Sequence, residues 1–135
     1  MFRPIKILLL MAVVVMSGCN AELSASDQTL QDAYDNKTSD LQVKGSGNVS
    51  RLLTDDTEGD QHQRFIVELD SEQTLLIAHN IDIAARIDVI AVGNRIEFYG
   101  EYEWNDEGGV VHWTHHDPSG SHVDGWLKYN GVTYQ

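Results

Sequence analysis

The stretch Arg95-Ile96-Glu97-Phe98-Tyr99-Gly100-Glu101-Tyr102-Glu103-Trp104 is the clearest strand in the chain. Ile96, Phe98, Tyr102 and Trp104 fall on one side of a two-residue repeat, and Glu97, Tyr99, Glu101 and Glu103 on the other. One face therefore meets a core and the other meets water. Gly100 interrupts the series, and a glycine inside a strand marks a bulge or a tight bend. Upstream of the turn Gly93-Asn94, Ile83, Ala84 and Ile87 share one side of a short helix over 81–87, with Asn80 as its cap. Thr74 to Ala78 is apolar on both faces and reads as a central strand. Before it, Gln63, Phe65, Val67 and Leu69 alternate with His62, Arg64, Ile66 and Glu68. A first strand over about 48–54 ends in the acidic turn Asp55 to Asp60.

Three strands, a short helix and further strands are the element order of a five-stranded Greek-key barrel of the OB type, whose helix plugs one end between the third and fourth strands. The fold class expected is thus all-β with one short helix, a small five-stranded OB-like barrel followed by a C-terminal hairpin. A small sandwich is the alternative arrangement of the same strands. Asn130-Gly131 is the turn of a last hairpin, between Trp126 to Tyr129 and Val132 to Tyr134.

The segment from His112 to Leu127 holds most of the residues able to do chemistry. Asp117-Pro118-Ser119-Gly120 fits a type I turn. A hairpin folded around it pairs His116 with His122, Thr114 with Asp124 and His112 with Trp126. Val111, Trp113, Val123 and Leu127 then face the core, and His112, Thr114, His116, His122 and Asp124 share the reverse face. Opposed side chains in such a ladder lie about 5 Å apart at Cβ. His112, His116, His122 and Asp124 thereby form a candidate metal set, since Zn²⁺ takes imidazole nitrogen and carboxylate oxygen in a tetrahedral shell. The same groups equally satisfy one another and nearby carbonyls in a surface hairpin. No His-Glu-x-x-His pattern is present.

Four further residues are candidates for ligand binding: His62 and Arg64, which can grip an anion, and His79 and Asn80, at the end of a buried strand. Ion pairing explains Arg64 as well, and capping explains Asn80. Glu97, Glu101 and Glu103 read as a solvated strand face. The acidic turn lacks the spacing of a calcium-binding loop. Trp104, Trp113 and Trp126 are potential stacking platforms, although Trp104 and Trp113 fall on the expected core faces.

At the N-terminus Arg3 and Lys6 precede an unbroken apolar run from Ile7 to Met16, then Ser17-Gly18. That is the layout of an export signal, too short for a membrane-spanning helix. Val15-Met16-Ser17-Gly18-Cys19 resembles the lipobox of bacterial lipoproteins, in which the cysteine becomes the lipidated first residue. The resemblance implies a membrane anchor through Cys19, and Asn20 in place of aspartate points to the outer membrane, facing the periplasm. Residues 1–18 are then the signal, 19–44 a lipidated cysteine with a flexible polar tether, in which Leu30, Ala33, Tyr34 and Leu41 have the spacing of a short amphipathic helix, and 45–135 the folded domain. Cys19 is the sole cysteine, so the chain forms no internal disulfide.

The formal charge of −12 becomes −14 once Arg3 and Lys6 are removed, leaving seven Lys+Arg against 21 Asp+Glu. A surface of that sign repels phosphate backbones and disfavours nucleic acid as a partner. Cations, basic peptides, neutral small molecules or cell-envelope partners suit it better.

Five segments together resemble an uncharacterised bacterial family, domain of unknown function 3465. They are His62-Gln63-Arg64-Phe65, Ala78-His79-Asn80-Ile81-Asp82, Gly100-Glu101-Tyr102-Glu103-Trp104-Asn105, His112 to Pro118, and His122-Val123-Asp124-Gly125-Trp126. The resemblance covers about residues 46–135 and implies a small exported protein with no established activity. Two functional classes follow from the residues: a lipid-tethered module binding a small ligand or envelope partner, and a zinc-type hydrolase using the His/Asp set. A purely structural role is the third.

Overall fold

A computed structural model describes Val13, Gly18 and residues 22–135. It contains one helix, α1 (Ala25–Asp35), and seven strands: β1 (Leu41–Leu52), β2 (His62–Glu68), β3 (Thr74–Asn80), β4 (Arg95–Glu103), β5 (Val110–His112), β6 (Trp126–Tyr129) and β7 (Val132–Tyr134). The pairing runs β1-β2-β3-β5-β4 and closes through β4 back onto β1. That is a closed five-stranded barrel of the OB type, with β6 and β7 as additional strands. β3 and β5 run parallel, whereas the other pairs are antiparallel.

β1 closes the circle because it is long enough to serve two neighbours. Leu41 to Asn48 pair with β4, Asn48 to Leu52 pair with β2, and the register shifts between Val49 and Arg51. Gly47 lies where a β-carbon would run into the backbone carbonyl of Glu68, so the strand passes close to its neighbour only without a side chain. The interior is filled by alternate residues, among them Phe65, Leu75, Ile77, Phe98, Tyr102, Val111 and Leu127, all fully buried. The two-residue repeats of β2 and β4 therefore orient as their sequences predict.

Three local expectations differ from the structure. The first is the helix expected over 81–87, which is a series of turns. Asn80 does not cap a helix there; its Oδ1 accepts the Asp82 N–H at 3.0 Å. The buried Gln63 amide takes both backbone groups of Ile87, at 2.8 and 2.9 Å. Side chains thus satisfy a backbone that a helix would have satisfied internally. Ile87 still inserts into the core, fully buried.

The second concerns residues 19–44, expected as a flexible tether. Residues from Ser24 onward are instead integral to the fold, and β1 begins at Leu41 rather than near Asn48. The Ser24 side chain caps α1 by accepting from the Asp27 N–H. Leu30 is fully buried against the barrel, and the Asp27 carboxylate accepts the Ser71 N–H at 3.2 Å. Tyr34 stacks on Trp104 at 6.3 Å, and Trp104 Nε1 donates to the Tyr34 carbonyl at 3.0 Å. Residues 1–18 and Cys19 fall outside the described residues, apart from Val13 and Gly18.

The third is the hairpin over 112–126. β5 and β6 do not pair with each other. Both lie along the same edge of β4, β5 at Glu101 to Glu103 and β6 at Ile96 to Tyr99, so His112 stands opposite Glu101 and Trp126 opposite Tyr99. They form one interrupted strand, and residues 113–125 leave the barrel between them. The hairpin formed by β6 and β7 does turn at Asn130-Gly131, as expected.

If α1 belongs to the core, Leu30→Ala should lower the unfolding free energy by about 2–5 kcal/mol, the usual cost of such a cavity. Urea denaturation checks this; a loss below about 0.5 kcal/mol would return α1 to the status of a loose tether.

Candidate functional site

The excursion over 113–125 begins at Trp113, whose φ of 52° turns the chain off the β4 edge. It returns at Gly125, whose N–H donates to the His115 carbonyl at 2.9 Å. A β-carbon at Gly125 would collide with the carbonyls of Trp113 and Tyr99, so the neck of the loop closes only around glycine. Inside the loop one carboxylate does most of the organising. Asp117 accepts the backbone N–H groups of Ser119, Ser121 and His122 at 3.1, 2.9 and 2.7 Å, together with the Ser119 hydroxyl at 3.0 Å. Burial would raise its pKa, but these bonds outweigh it and hold the carboxyl at about 2. Asp124 accepts the Asp117 N–H at 2.8 Å and His116 Nδ1 at 2.9 Å, and the two bonds lower its pKa.

This loop divides the candidate metal set. His116 and Asp124 pair with each other on the exposed outside of the loop. His112 lies on the barrel face instead, with Nε2 3.4 Å from Glu101 Oε2 and 3.4 Å from Glu103 Oε1. His122 reaches the same carboxylate from the loop, Nε2 to Glu101 Oε2 at 3.3 Å. Its ring lies flat on Trp113, 4.1 Å between centroids and 10° between planes. Thr114, expected beside these imidazoles, is fully buried in the interior, and Val123, expected in the core, is exposed. Trp113 is half-buried on the outside, because the positive φ at this residue reverses its side.

Glu101 and Glu103 are the residues the sequence reading missed. Their position on the outer face of β4 was evident from the alternation. What placed them beside histidine was the pairing of β4 with β5, which alternation within one strand does not contain. His115 was also missed; it is nearly buried, and its Nδ1 lies 2.8 Å from the His116 carbonyl.

The four candidate ligand-binding residues also separate. His79 points inward and is fully buried, with Nδ1 2.7 Å from Thr114 Oγ1 and Nε2 3.0 Å from the Ala85 carbonyl. The carbonyl must accept, so Nε2 carries the hydrogen and Nδ1 accepts from the hydroxyl. His79 is thus a tie between the barrel and two loops. Arg64 spends Nε and Nη2 on the Thr54 carbonyl, at 3.1 and 2.9 Å, which pins the β1–β2 connection over the barrel face. His62 and Asn80 both face a hollow of about 230 Å³, also lined by Asp60, Ile83, His112, Trp113 and His115.

That hollow adjoins a groove of about 440 Å³ between Asp56, His62, Arg64, Leu76, Ala78, Glu103, Val110 and His112. Past Leu76 the depression continues between Ser50, Arg51, Ile66, Thr74, Asn105 and Glu107. The hollow and the groove share His62 and His112, the groove and its continuation share Leu76, and together they cross the outer face of β2, β3 and β5.

A profile of the family described as "Protein of unknown function (DUF3465)" matches residues 12–135. The chain belongs to this family. Among curated proteins none matches it. The DUF3465 match takes in α1, the whole barrel and the excursion, so the helix and the histidine loop lie within the family's region alike.

The buried imidazole of this DUF3465 chain makes its stability pH-dependent. Desolvation lowers the His79 pKa from 6.5 to about 4; the Ala85 carbonyl opposes the shift, and the nearby His115 and His62 add to it. The unfolded chain takes up a proton below about pH 6.5 and the folded chain only near pH 4. The stability that neutral His79 contributes is therefore present above pH 6.5 and is lost, by about 3 kcal/mol, as the pH drops to 4. His79→Gln should remove that part of the slope in denaturation curves taken across this range. An unchanged slope would show that His79 is not the group responsible.

Proposed function

We propose that this protein is a lipid-anchored binding module of the bacterial cell envelope, which takes a small or extended ligand across the outer face of β2, β3 and β5. The observation that carries the reading is the continuous groove. Its floor of Leu76, Ala78 and Val110 is apolar and its rim is polar, with Asp56, His62, Arg64, Glu103 and His112. A concave apolar surface with a few convergent polar groups is the usual make-up of a ligand site. In barrels of this type the face of the second and third strands is the one that carries ligands.

The charge selects among ligands. With a formal charge of −12, and with Asp56, Glu103 and Glu107 beside Arg51 and Arg64 along it, the groove is less suited to an anionic chain. A neutral or cationic partner of the envelope, such as a short sugar oligomer or a basic peptide segment, fits it better. The anchor rests on Arg3, Lys6, the apolar run Ile7 to Met16 and Cys19. Several acyl chains on that cysteine would hold the domain stably at a membrane surface. With the sole cysteine used as the anchor, no thiol is available to the groove.

Two measurements test this. Nuclear magnetic resonance titration with sugar oligomers and basic peptides should shift the amides of Leu76, Ala78, Val110 and His112, and Ala78→Trp should weaken that response at least about tenfold, or 1.4 kcal/mol. Shifts confined to another face would overturn the groove. In cells, Cys19→Ser should move the chain from the membrane fraction to the soluble fraction; a parent chain already soluble would overturn the anchor.

A further inference from the structure

We propose that Glu101, Glu103 and His112 form a binding site for a divalent first-row transition ion such as Zn²⁺ on the outer barrel face, with His122 at its border. The proposal is independent of any ligand in the groove. One ligand atom from each of the three residues lies within 4.8 Å of the other two, and all three side chains are half-buried.

The spacing inside this group is that of metal ligands. An N–H···O⁻ hydrogen bond between imidazole and carboxylate runs to about 2.7–2.9 Å. His116 and Asp124, in the adjoining loop, meet that distance at 2.9 Å. The three contacts around Glu101 and Glu103 do not: they measure 3.4, 3.4 and 3.3 Å. Two ligands bound at about 2.0–2.1 Å and the tetrahedral angle stand about 3.3–3.4 Å apart. The contacts on the barrel face are thus long hydrogen bonds, and their length equals the ligand edge of a tetrahedral site, which leaves room for an ion between the His112 imidazole and the two carboxylates.

Orientation of the rings supports the same reading. His122 Nδ1 lies 2.8 Å from the Val123 carbonyl, which can only accept, so Nδ1 carries a hydrogen. Nε2 then faces Glu101 Oε2 at 3.3 Å. A histidine that gives its other ring N–H to a backbone carbonyl is the usual support arrangement around a metal. The stack on Trp113 holds the ring in that direction.

Charge supplies the third argument. Glu101 and Glu103 lie on one face of β4, their carboxylates within 4.8 Å of each other's reach. Like charges so close repel, and a cation between them would offset the repulsion. Among the described residues the ion pairs of both glutamates are to histidines, while the arginine ion pairs go to Asp55, Asp70 and Asp88. A mixed imidazole and carboxylate set suits zinc, manganese or iron(II) better than magnesium or calcium. Three protein donors leave a position open beside the groove, which Glu103 and His112 also line.

Calorimetric titration of Zn²⁺ into the full chain, chelator-stripped and held in detergent, tests the site. The expected result is one ion per chain, with affinity at least about tenfold lower in Glu101→Gln, Glu103→Gln and His112→Ala and unchanged in His116→Ala. Saturating zinc should also raise the melting temperature by several degrees, roughly 5–10 °C, since it binds only the folded state. Glu103→Gln keeps the size of a half-exposed side chain and so preserves the fold if His112→Ala does not. The Co²⁺-loaded chain should show the visible absorption of a four-coordinate nitrogen and oxygen site. Absence of saturable zinc binding would overturn the proposal. So would zinc binding that survives all three ligand substitutions, or that His116→Ala abolishes.

Discussion

The handover along one edge of β4 is the constraint on which the rest depends. β5 occupies that edge at Glu101 to Glu103 and β6 at Ile96 to Tyr99, and Gly100 lies between them, facing inward. A β-carbon at Gly100 would run into the His112 carbonyl and crowd Thr114 and Val111. Only glycine lets β5 finish there and the chain depart. Barrel closure through β3, β5 and β4, ejection of the loop, and the placing of His112 against Glu101 all follow from that close approach.

Once the chain leaves the ladder, polar side chains take over from regular hydrogen bonding. Asp117 gathers the amides of its loop, Gln63 takes both backbone groups of Ile87, and His79 joins Thr114 to Ala85. Each is buried, and each would cost folding free energy if left unpaired. Irregular segments held this way are rigid without being helix or strand, and rigid loops are where binding groups can be presented in fixed geometry. The same devices that stabilise the loops therefore set the directions of His115, His116 and His122.

Alternation made most of the barrel legible. Phe65, Val67, Ile96, Phe98 and Tyr102 are buried as a two-residue repeat requires, and the order of elements pointed to the barrel class. In the N-terminal part the spacing of Leu30, Ala33 and Tyr34 allowed a short amphipathic helix, but not its docking: among the described residues there only Leu30, Ala33 and Val43 are buried members of the core, too few to show that the segment belongs to the barrel. The turn at Asp117-Pro118-Ser119-Gly120 was legible locally, and the Gly120 N–H does donate to the Asp117 carbonyl at 3.1 Å. The strands expected on either side of it were not formed, because β4 offers both segments a better partner. Neighbour relations between strands are non-local, and for that reason the carboxylates beside His112 escaped a reading that put His112 and His122 outside the core.

Gly100 is required sterically and not merely tolerated. The direct measurement is the urea unfolding free energy of Gly100→Ala, in which one methyl group is added at the handover. A loss of about 2 kcal/mol or more is predicted, as for overpacking against a fixed backbone. A variant as stable as the parent would contradict the account.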